Sequence, residues 1–81
     1  MNPRKFKQLD VRKLLALGIE PLPEIRKRVA TLLPGEGLAI IAPFLPSPLI
    51  ELLEAQNFAH RVEHDPDGTW TTYFWRKEES G

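Results

Sequence analysis

The sequence predicts a two-layer α/β sandwich, an α+β domain with two helices on one face of a mixed four-stranded sheet. Three observations support this prediction. Two segments carry apolar residues at helical spacing and begin beside prolines. A continuous apolar segment lies between them, and the C-terminal part of the chain has the pattern of a β-hairpin. The resulting order is β-α-β-α-β-β. Right-handed crossovers then place both helices on the same side of the sheet.

Length, composition and charge indicate one globular domain spanning residues 1–81. Apolar residues make up 42% of the 81 residues and charged residues 27%, which is too apolar for a disordered chain. The 11 basic and 11 acidic residues balance, so no net field draws the chain to nucleic acid or a membrane. The apolar runs are too short for a membrane span, and the N-terminal segment lacks a signal peptide's apolar stretch. We therefore expect a cytoplasmic domain.

The chain contains no cysteine. This excludes disulfide bonds, thiolate metal ligands, and thiol or persulfide chemistry. In addition, no serine–histidine–aspartate pattern, glycine-rich phosphate loop or paired-carboxylate motif is evident. The sequence therefore predicts a protein that is not an enzyme and that needs no cofactor.

The N-terminal half predicts a strand followed by a helix. Alternation over Phe6 to Val11 predicts an edge strand, and Leu14 to Gly18 is interpreted as an apolar connection that ends in a turn. The helix is predicted to begin at Glu20 to Pro23, because proline suits a first helical turn, and to stop at Pro34. Its apolar residues share one face: Leu22, Ile25, Val29 and Leu32.

The next two elements are a central strand and a second helix. The segment from Gly37 to Ala42 is apolar after its glycine, which is typical of a strand buried on both faces. Ser47 is predicted to cap the second helix, with Pro48 at its first position. Asn57 is expected to close that helix in the left-handed conformation.

Two strands joined by a tight turn are predicted at the C-terminus. They span Phe58 to His64 and Thr69 to Arg76, and the turn from Asp65 to Gly68 uses glycine for a positive φ. Alternation in the last strand separates two sets of aromatic residues. Trp70 and Phe74 lie on one face, and Tyr73 and Trp75 on the other.

Three motifs resemble those of the TusA/SirA-like sulfur-carrier superfamily, and the resemblance covers nearly the whole chain. They are Leu9-Asp10-Val11-Arg12, Glu20-Pro21-Leu22-Pro23, and Leu33-Pro34-Gly35-Glu36 ahead of an apolar strand. In particular, the chain resembles the cysteine-free, uncharacterised branch of that superfamily, a domain of unknown function. The resemblance implies the strand order 1-2-4-3, with the last strand antiparallel to the rest.

One position departs from the sulfur carriers. Where they have a cysteine before the first proline of the second motif, this chain has Glu20, and a carboxylate cannot carry a sulfane sulfur. The resemblance therefore implies a protein-binding or adaptor module without sulfur transfer. Its predicted recognition surface consists of Glu20, Pro21 and Pro23, with Asp10 and Arg12 nearby. The alternative interpretation is a helix start that uses prolines and acidic residues for capping alone.

The sheet face without helices is the second predicted site. Ile41, Tyr73 and Trp75 are expected there, and an exposed apolar patch of this kind favours an interface, such as a weak two-fold homodimer. In the alternative interpretation, chain termini or lysine side chains cover the patch. The alternative function is binding of single-stranded RNA on this face. Tyr73 and Trp75 would then stack on bases, and Arg61 and Arg76 would lie near the RNA backbone.

The two histidines, His60 and His64, do not form a predicted metal site. They share one face of a strand, and a rise of ~3.3 Å per residue places their Cα atoms roughly 13 Å apart. One metal ion cannot be bound by both from a regular strand. Arg26 to Arg28 are interpreted as a solvated helix face, since nucleic-acid-binding domains are usually basic overall.

Overall fold

The computed structural model describes residues 5–77 and confirms the two-layer α+β prediction. The order of elements is β-α-α-β-α-β-β. The elements are β1 (Lys5–Asp10), α1 (Val11–Ala16), α2 (Leu22–Ala30), β2 (Glu36–Ala42), α3 (Ser47–Ala55), β3 (Phe58–His64) and β4 (Trp70–Arg76). Within residues 5–77, no helix is both long and apolar enough to span a bilayer.

The four strands form one mixed sheet in the order β1-β2-β4-β3, as the resemblance implied. β1 runs parallel to β2, and β4 is antiparallel to both of its neighbours. In this register Ile40 of β2 lies between Leu9 of β1 and Thr72 of β4. β2 is therefore central, as its apolar sequence predicts, and β1 and β3 are the two edge strands.

The hydrophobic core lies between the sheet and the helices. Phe74 is fully buried at 0% exposure, and Leu38 and Ile40 are buried beside it. The helices supply apolar side chains that pack against these strands: Val11, Ile25, Val29, Leu53 and the partly buried Leu14, Leu49 and Ile50. Since α2 and α3 carry the predicted apolar stripes, their periodicity accounts for the face that each helix buries.

The segment after β1 differs from the prediction. Val11 does not extend the strand, and the predicted connection from Leu14 to Gly18 contains the last turn of α1. The cause is Asp10, whose side chain accepts a hydrogen bond from the Arg12 backbone N–H at 3.0 Å and so caps a new helix. Val11 still enters the core at 3% exposure. Its burial therefore fits a strand and a helix equally well.

Both longer helices begin beside proline, as predicted. Pro21 is the N-cap residue of α2. In α3 the N-cap is Pro46, so that Ser47 is the first helical residue and not the predicted cap. Asn57 has a φ of 68° and closes α3 in the left-handed conformation, as expected. The hairpin turn is also confirmed, with Gly68 at a φ of 89°.

Candidate binding site

An open cleft lies between α2 and α3 on the helix-covered side of the sheet. Its volume is about 470 Å³, within the range of ligand-binding sites. Its floor is formed by Ile40 and Ala42 of β2. Its walls are mainly apolar side chains of the two helices and of the loop before α3: Leu22, Ile25, Phe44, Pro46, Pro48, Leu49 and Leu52.

The cleft continues along the two helices toward their C-terminal ends. A second hollow of about 460 Å³ shares Leu22, Ile25, Arg26, Leu49 and Leu52 with the first. It adds residues from the far ends of the helices and from β4: Val29, Ala30, Leu53, Gln56 and Arg76. The two hollows are therefore parts of one channel, which we call the interhelical groove.

The apolar walls of the interhelical groove are only partly covered by the protein itself. Leu22, Leu49 and Leu52 are half-buried, although their spacing places them on the inner faces of their helices. At the rim, Phe44 is 50% exposed. The groove therefore leaves part of its apolar surface open to solvent.

Charged groups border the groove at a few positions. Glu20 lines it immediately before α2, and Arg26 lines both of its parts. Arg76 reaches the groove from the end of β4, where its Nη2 donates a hydrogen bond to the Val29 carbonyl oxygen at 3.3 Å. Its guanidinium also lies 5.2 Å from the centroid of the Phe58 ring. These two contacts hold Arg76 at the end of α2.

The structure separates the residues of the predicted recognition surface. Glu20 and Pro21 line the groove, whereas Pro23 is exposed and does not line it. Asp10 and Arg12 form an ion pair, in which Nε and Nη2 of Arg12 donate to the carboxylate at 2.9 and 2.8 Å. Hydrogen bonding from the Arg12 side chain lowers the pKa of Asp10 below its usual value.

Arg12 also links this ion pair to the hairpin. Its Nη1 donates a hydrogen bond to the Thr69 hydroxyl at 3.3 Å. The pair therefore joins the start of α1 to the turn before β4. This observation gives Asp10 and Arg12 a structural role that the sequence motif alone did not reveal.

Ile41, Tyr73 and Trp75 share the open sheet face. Phe6 packs against the two aromatic residues, whereas Ile41 pairs with Thr71 farther along the sheet. The Phe6 ring packs edge-on against Tyr73, with ring centroids 5.0 Å apart, and against Trp75 at 6.1 Å. It lies so close over Gly37 that a Cβ there would overlap the ring. The sequence contained the signal, because alternation places Phe6 opposite to Leu9, but Phe6 was not predicted at this site.

Polar side chains border this aromatic cluster. The Tyr73 hydroxyl donates a hydrogen bond of 2.7 Å to Glu63, and the Arg61 guanidinium lies 4.8 Å from the centroid of the Tyr73 ring. The hydrogen bond to Glu63 raises the pKa of Tyr73 above its ordinary value. Arg76, predicted to accompany Arg61 on this face, is on the opposite one, where it contacts the core residue Phe58.

The two histidines lie on the helix side of β3. His60 Nδ1 is 3.5 Å from a Glu54 carboxylate oxygen, and His64 stacks on Trp70 with ring centroids 3.8 Å apart. In the part of the chain that the structure describes, no three or more acidic or histidine side chains are grouped so as to hold a metal ion.

Comparisons with known proteins identify a family and no individual relative. No curated protein and no solved structure matched the chain. A family model did match residues 8–76, a segment that includes the interhelical groove and almost all of the sheet. The chain therefore belongs to the family described as an uncharacterized conserved protein, DUF2249.

Proposed function

We propose that this domain is a non-enzymatic protein-binding module that docks a segment of a partner protein in the interhelical groove. The observation that carries this proposal is the composition of the groove. It is mainly apolar at the N-terminal ends of the two helices and open to solvent, and it is bordered by charge only at Glu20, Arg26 and Arg76 among the described residues that line it.

The openness of the groove favours a protein partner over a small molecule. A small-molecule site usually surrounds its ligand and buries roughly 70–90% of the ligand's surface. Here the wall at Phe44 is half exposed, and Leu49 and Leu52 remain partly open to solvent. A macromolecular partner could bury such a surface, with each Å² of apolar area contributing about 25 cal/mol.

The lining of the groove also supports a non-enzymatic role. Among the described residues that line it, Glu20 is the one carboxylate, and no serine, histidine or tyrosine is present. General acid–base or nucleophilic catalysis needs a reactive group with a second group to activate it. Docking requires neither.

In this proposal, the domain shares its fold with the TusA/SirA-like carriers that its sequence resembles. The strand order that the resemblance implies agrees with the observed sheet, and this agreement supports the relation. Glu20 replaces the cysteine of the carriers and lines one end of the groove. On this proposal, the domain is a carrier-like module that retains a docking surface and has lost the sulfur-carrying group.

Site-specific photo-cross-linking tests the proposal. The photoreactive benzoylphenylalanine would replace Phe44 in the groove or, as a control, Leu33, which is 63% exposed and does not line the groove. We expect a partner protein to be cross-linked in the source cell from position 44 and not from position 33. The substitution Leu52→Glu should abolish that cross-link while the fold, measured by circular dichroism, is retained.

Two results would contradict the docking proposal. Equal cross-linking from positions 44 and 33 would indicate nonspecific contact with apolar surface. A cross-link from position 44 that survives Leu52→Glu would place the partner outside the groove, since that substitution introduces a charge into its wall.

RNA binding is the second candidate function, favoured by one observation. Tyr73 and Trp75 lie on the same exposed sheet face beside Arg61, a combination that can stack bases and contact phosphates. Binding to mixed-sequence RNA at two salt concentrations tests it. Salt-sensitive binding at micromolar protein that is lost in Trp75→Ala would support RNA binding, and no binding would remove it.

A further inference from the structure

If the interhelical groove is the docking site, as proposed above, its charges indicate what it binds. We infer that the partner segment is an acidic amphipathic helix, whose apolar face fills the groove and whose carboxylates pair with Arg26 and Arg76. The inference depends on three features of the groove: its two arginines, the orientation of Arg76, and the secondary structure of its walls.

The two arginines of the groove lack carboxylate partners within residues 5–77. The nearby Arg28 is paired with Glu24 of its own helix at 3.0 Å, and Arg12 is paired with Asp10. No such pair involves Arg26 or Arg76 in that part of the chain, and both line the groove. A partner carboxylate would therefore meet a guanidinium without displacing an ion pair formed within residues 5–77.

Arg76 is held in place before any partner binds. One of its five N–H groups donates to the Val29 carbonyl oxygen, and its guanidinium plane is supported by the Phe58 ring. Within residues 5–77 its remaining donors make no hydrogen bond, and they can form a charge-assisted, two-point contact with a carboxylate. Because less side-chain freedom is lost when such a group binds, this arrangement favours a specific contact.

The walls of the groove favour a helical partner over an extended one. α2 and α3 each have 9 residues and bond their own backbone groups internally. An extended peptide would find no strand edge in the groove, and its backbone groups would lose water without gaining partners. A helix satisfies its own backbone and can present apolar residues at i, i+3, i+4 and i+7 to an apolar groove.

The length of the groove indicates how much helix it can accommodate. At ~1.5 Å per residue, each wall is about 13 Å long, which corresponds to roughly two and a half turns. Arg26 lies in both parts of the groove, and Arg76 lies at the end toward the C-terminus of α2. Acidic residues one or two turns apart on the partner could therefore meet both.

Selection from a random peptide library tests this inference. A phage-displayed library of peptides about 14 residues long, roughly four helical turns, would be panned on the wild-type domain and counter-selected on Leu52→Glu. We expect the selected peptides to share apolar residues at helical spacing and to be enriched in Asp and Glu beside them. A synthetic peptide with the selected sequence would then be titrated by fluorescence anisotropy.

Charge substitutions provide the quantitative part of the test. Arg26→Gln and Arg76→Gln should each weaken binding of that peptide about tenfold, since hydrogen bonds to charged groups contribute roughly 1.5–3 kcal/mol. Arg61→Gln is the matched control, because Arg61 lies on the open sheet face and should leave the affinity unchanged. Replacing the acidic residues of the peptide by their amides should produce the same loss as the arginine substitutions.

The outcomes separate this inference from the proposed function. Selected peptides that need Leu52 but show no acidic enrichment, and that bind Arg26→Gln and Arg76→Gln normally, would overturn the acidic partner and leave groove docking intact. Binders that are all removed by the counter-selection on Leu52→Glu, or a library that yields no binders at all, would overturn both. If dodecanoate displaced the peptide and bound more tightly, the occupant would be a small amphiphile and the helix would be rejected.

Discussion

The two faces of the sheet bury their apolar residues in different ways. On the helix side, Phe74 is completely buried in the core that it forms with side chains from α2 and α3, which are distant in sequence. On the open side, Phe6 of β1 reaches across β2 to Tyr73 and Trp75 of β4, and all three remain partly exposed. Ala39, which pairs with Tyr73 and lies on the same face, is only 2% exposed. A sheet can therefore be apolar on both faces without a third layer of structure.

The first prediction compares an aromatic residue from each face. Phe74→Ala should lower the free energy of unfolding by about 3–5 kcal/mol, because it leaves a cavity in the core. Trp75→Ala should cost only about 1–2 kcal/mol, since water can fill the space it leaves on a partly exposed surface. Urea denaturation of both variants provides the measurement. Equal losses would mean that the open face is as well packed as the helix side.

The second prediction concerns the close contact on the open face. In Gly37→Ala, the new Cβ would overlap the Phe6 ring and lie 2.7 Å from the Phe74 carbonyl oxygen. We expect a loss of about 1–3 kcal/mol in the free energy of unfolding, typical of overpacking. Phe6→Ala in the same chain should restore only part of it, since the backbone oxygen cannot move away. An unchanged midpoint in Gly37→Ala would contradict the contact.

The third prediction concerns self-association through the open face. We expect a weak two-fold homodimer that packs Ile41, Tyr73 and Trp75 against the same residues of a second copy. Sedimentation velocity at tens of micromolar should detect it in the wild type and not in Trp75→Glu. Leu33→Glu is the control, because it adds the same charge at an exposed position away from that face. A wild-type protein that sediments as a monomer at these concentrations would contradict the prediction of a homodimer.

The smallest expected effect is on the titration of Tyr73, which the sequence makes easy to follow because it contains 1 tyrosine. Its hydrogen bond to Glu63 raises the pKa of the phenol. The stabilisation linked to this shift is present below the ordinary pKa of tyrosine, and it is lost as the pH rises through the raised value. Glu63→Gln should move the absorbance titration at high pH downward. Identical curves for the two proteins would indicate that the bond is not maintained in solution.

Local chemistry allowed most elements to be predicted from the sequence. Proline at the helix starts, Asn57 at the end of α3 and Gly68 in the hairpin turn each restrict the backbone through their own covalent structure. α1 escaped prediction because Val11 is buried in either conformation. The hydrogen bond that the Asp10 side chain accepts favours the helix at this position. The alternation of apolar residues in the sequence does not reveal that hydrogen bond.

The candidate site was predictable only in part. Glu20 and Pro21 were identified from their motif, and they line the groove. The groove itself depends on the distance between α2 and α3, which the apolar stripe of each helix does not specify. Arg76 was assigned to the wrong face because Arg61 and the aromatic residues suggested a shared function. The alternation along β4 already places Arg76 with Phe74, on the helix side.

The two edge strands of the sheet influence whether the domain aggregates at high protein concentration. An edge strand has unpaired backbone N–H and C=O groups, with which a strand of another chain can form hydrogen bonds. Charged side chains on the edge strand commonly prevent this pairing. β1 carries Lys5 and Lys7, and on β3 the residues His60, Arg61 and Glu63 are exposed. A second copy of β1 added at its edge would bring lysines together, and a strand added at β3 would take charged side chains out of water. The domain can therefore leave an apolar groove open to solvent while its sheet resists growing from chain to chain into a fibre.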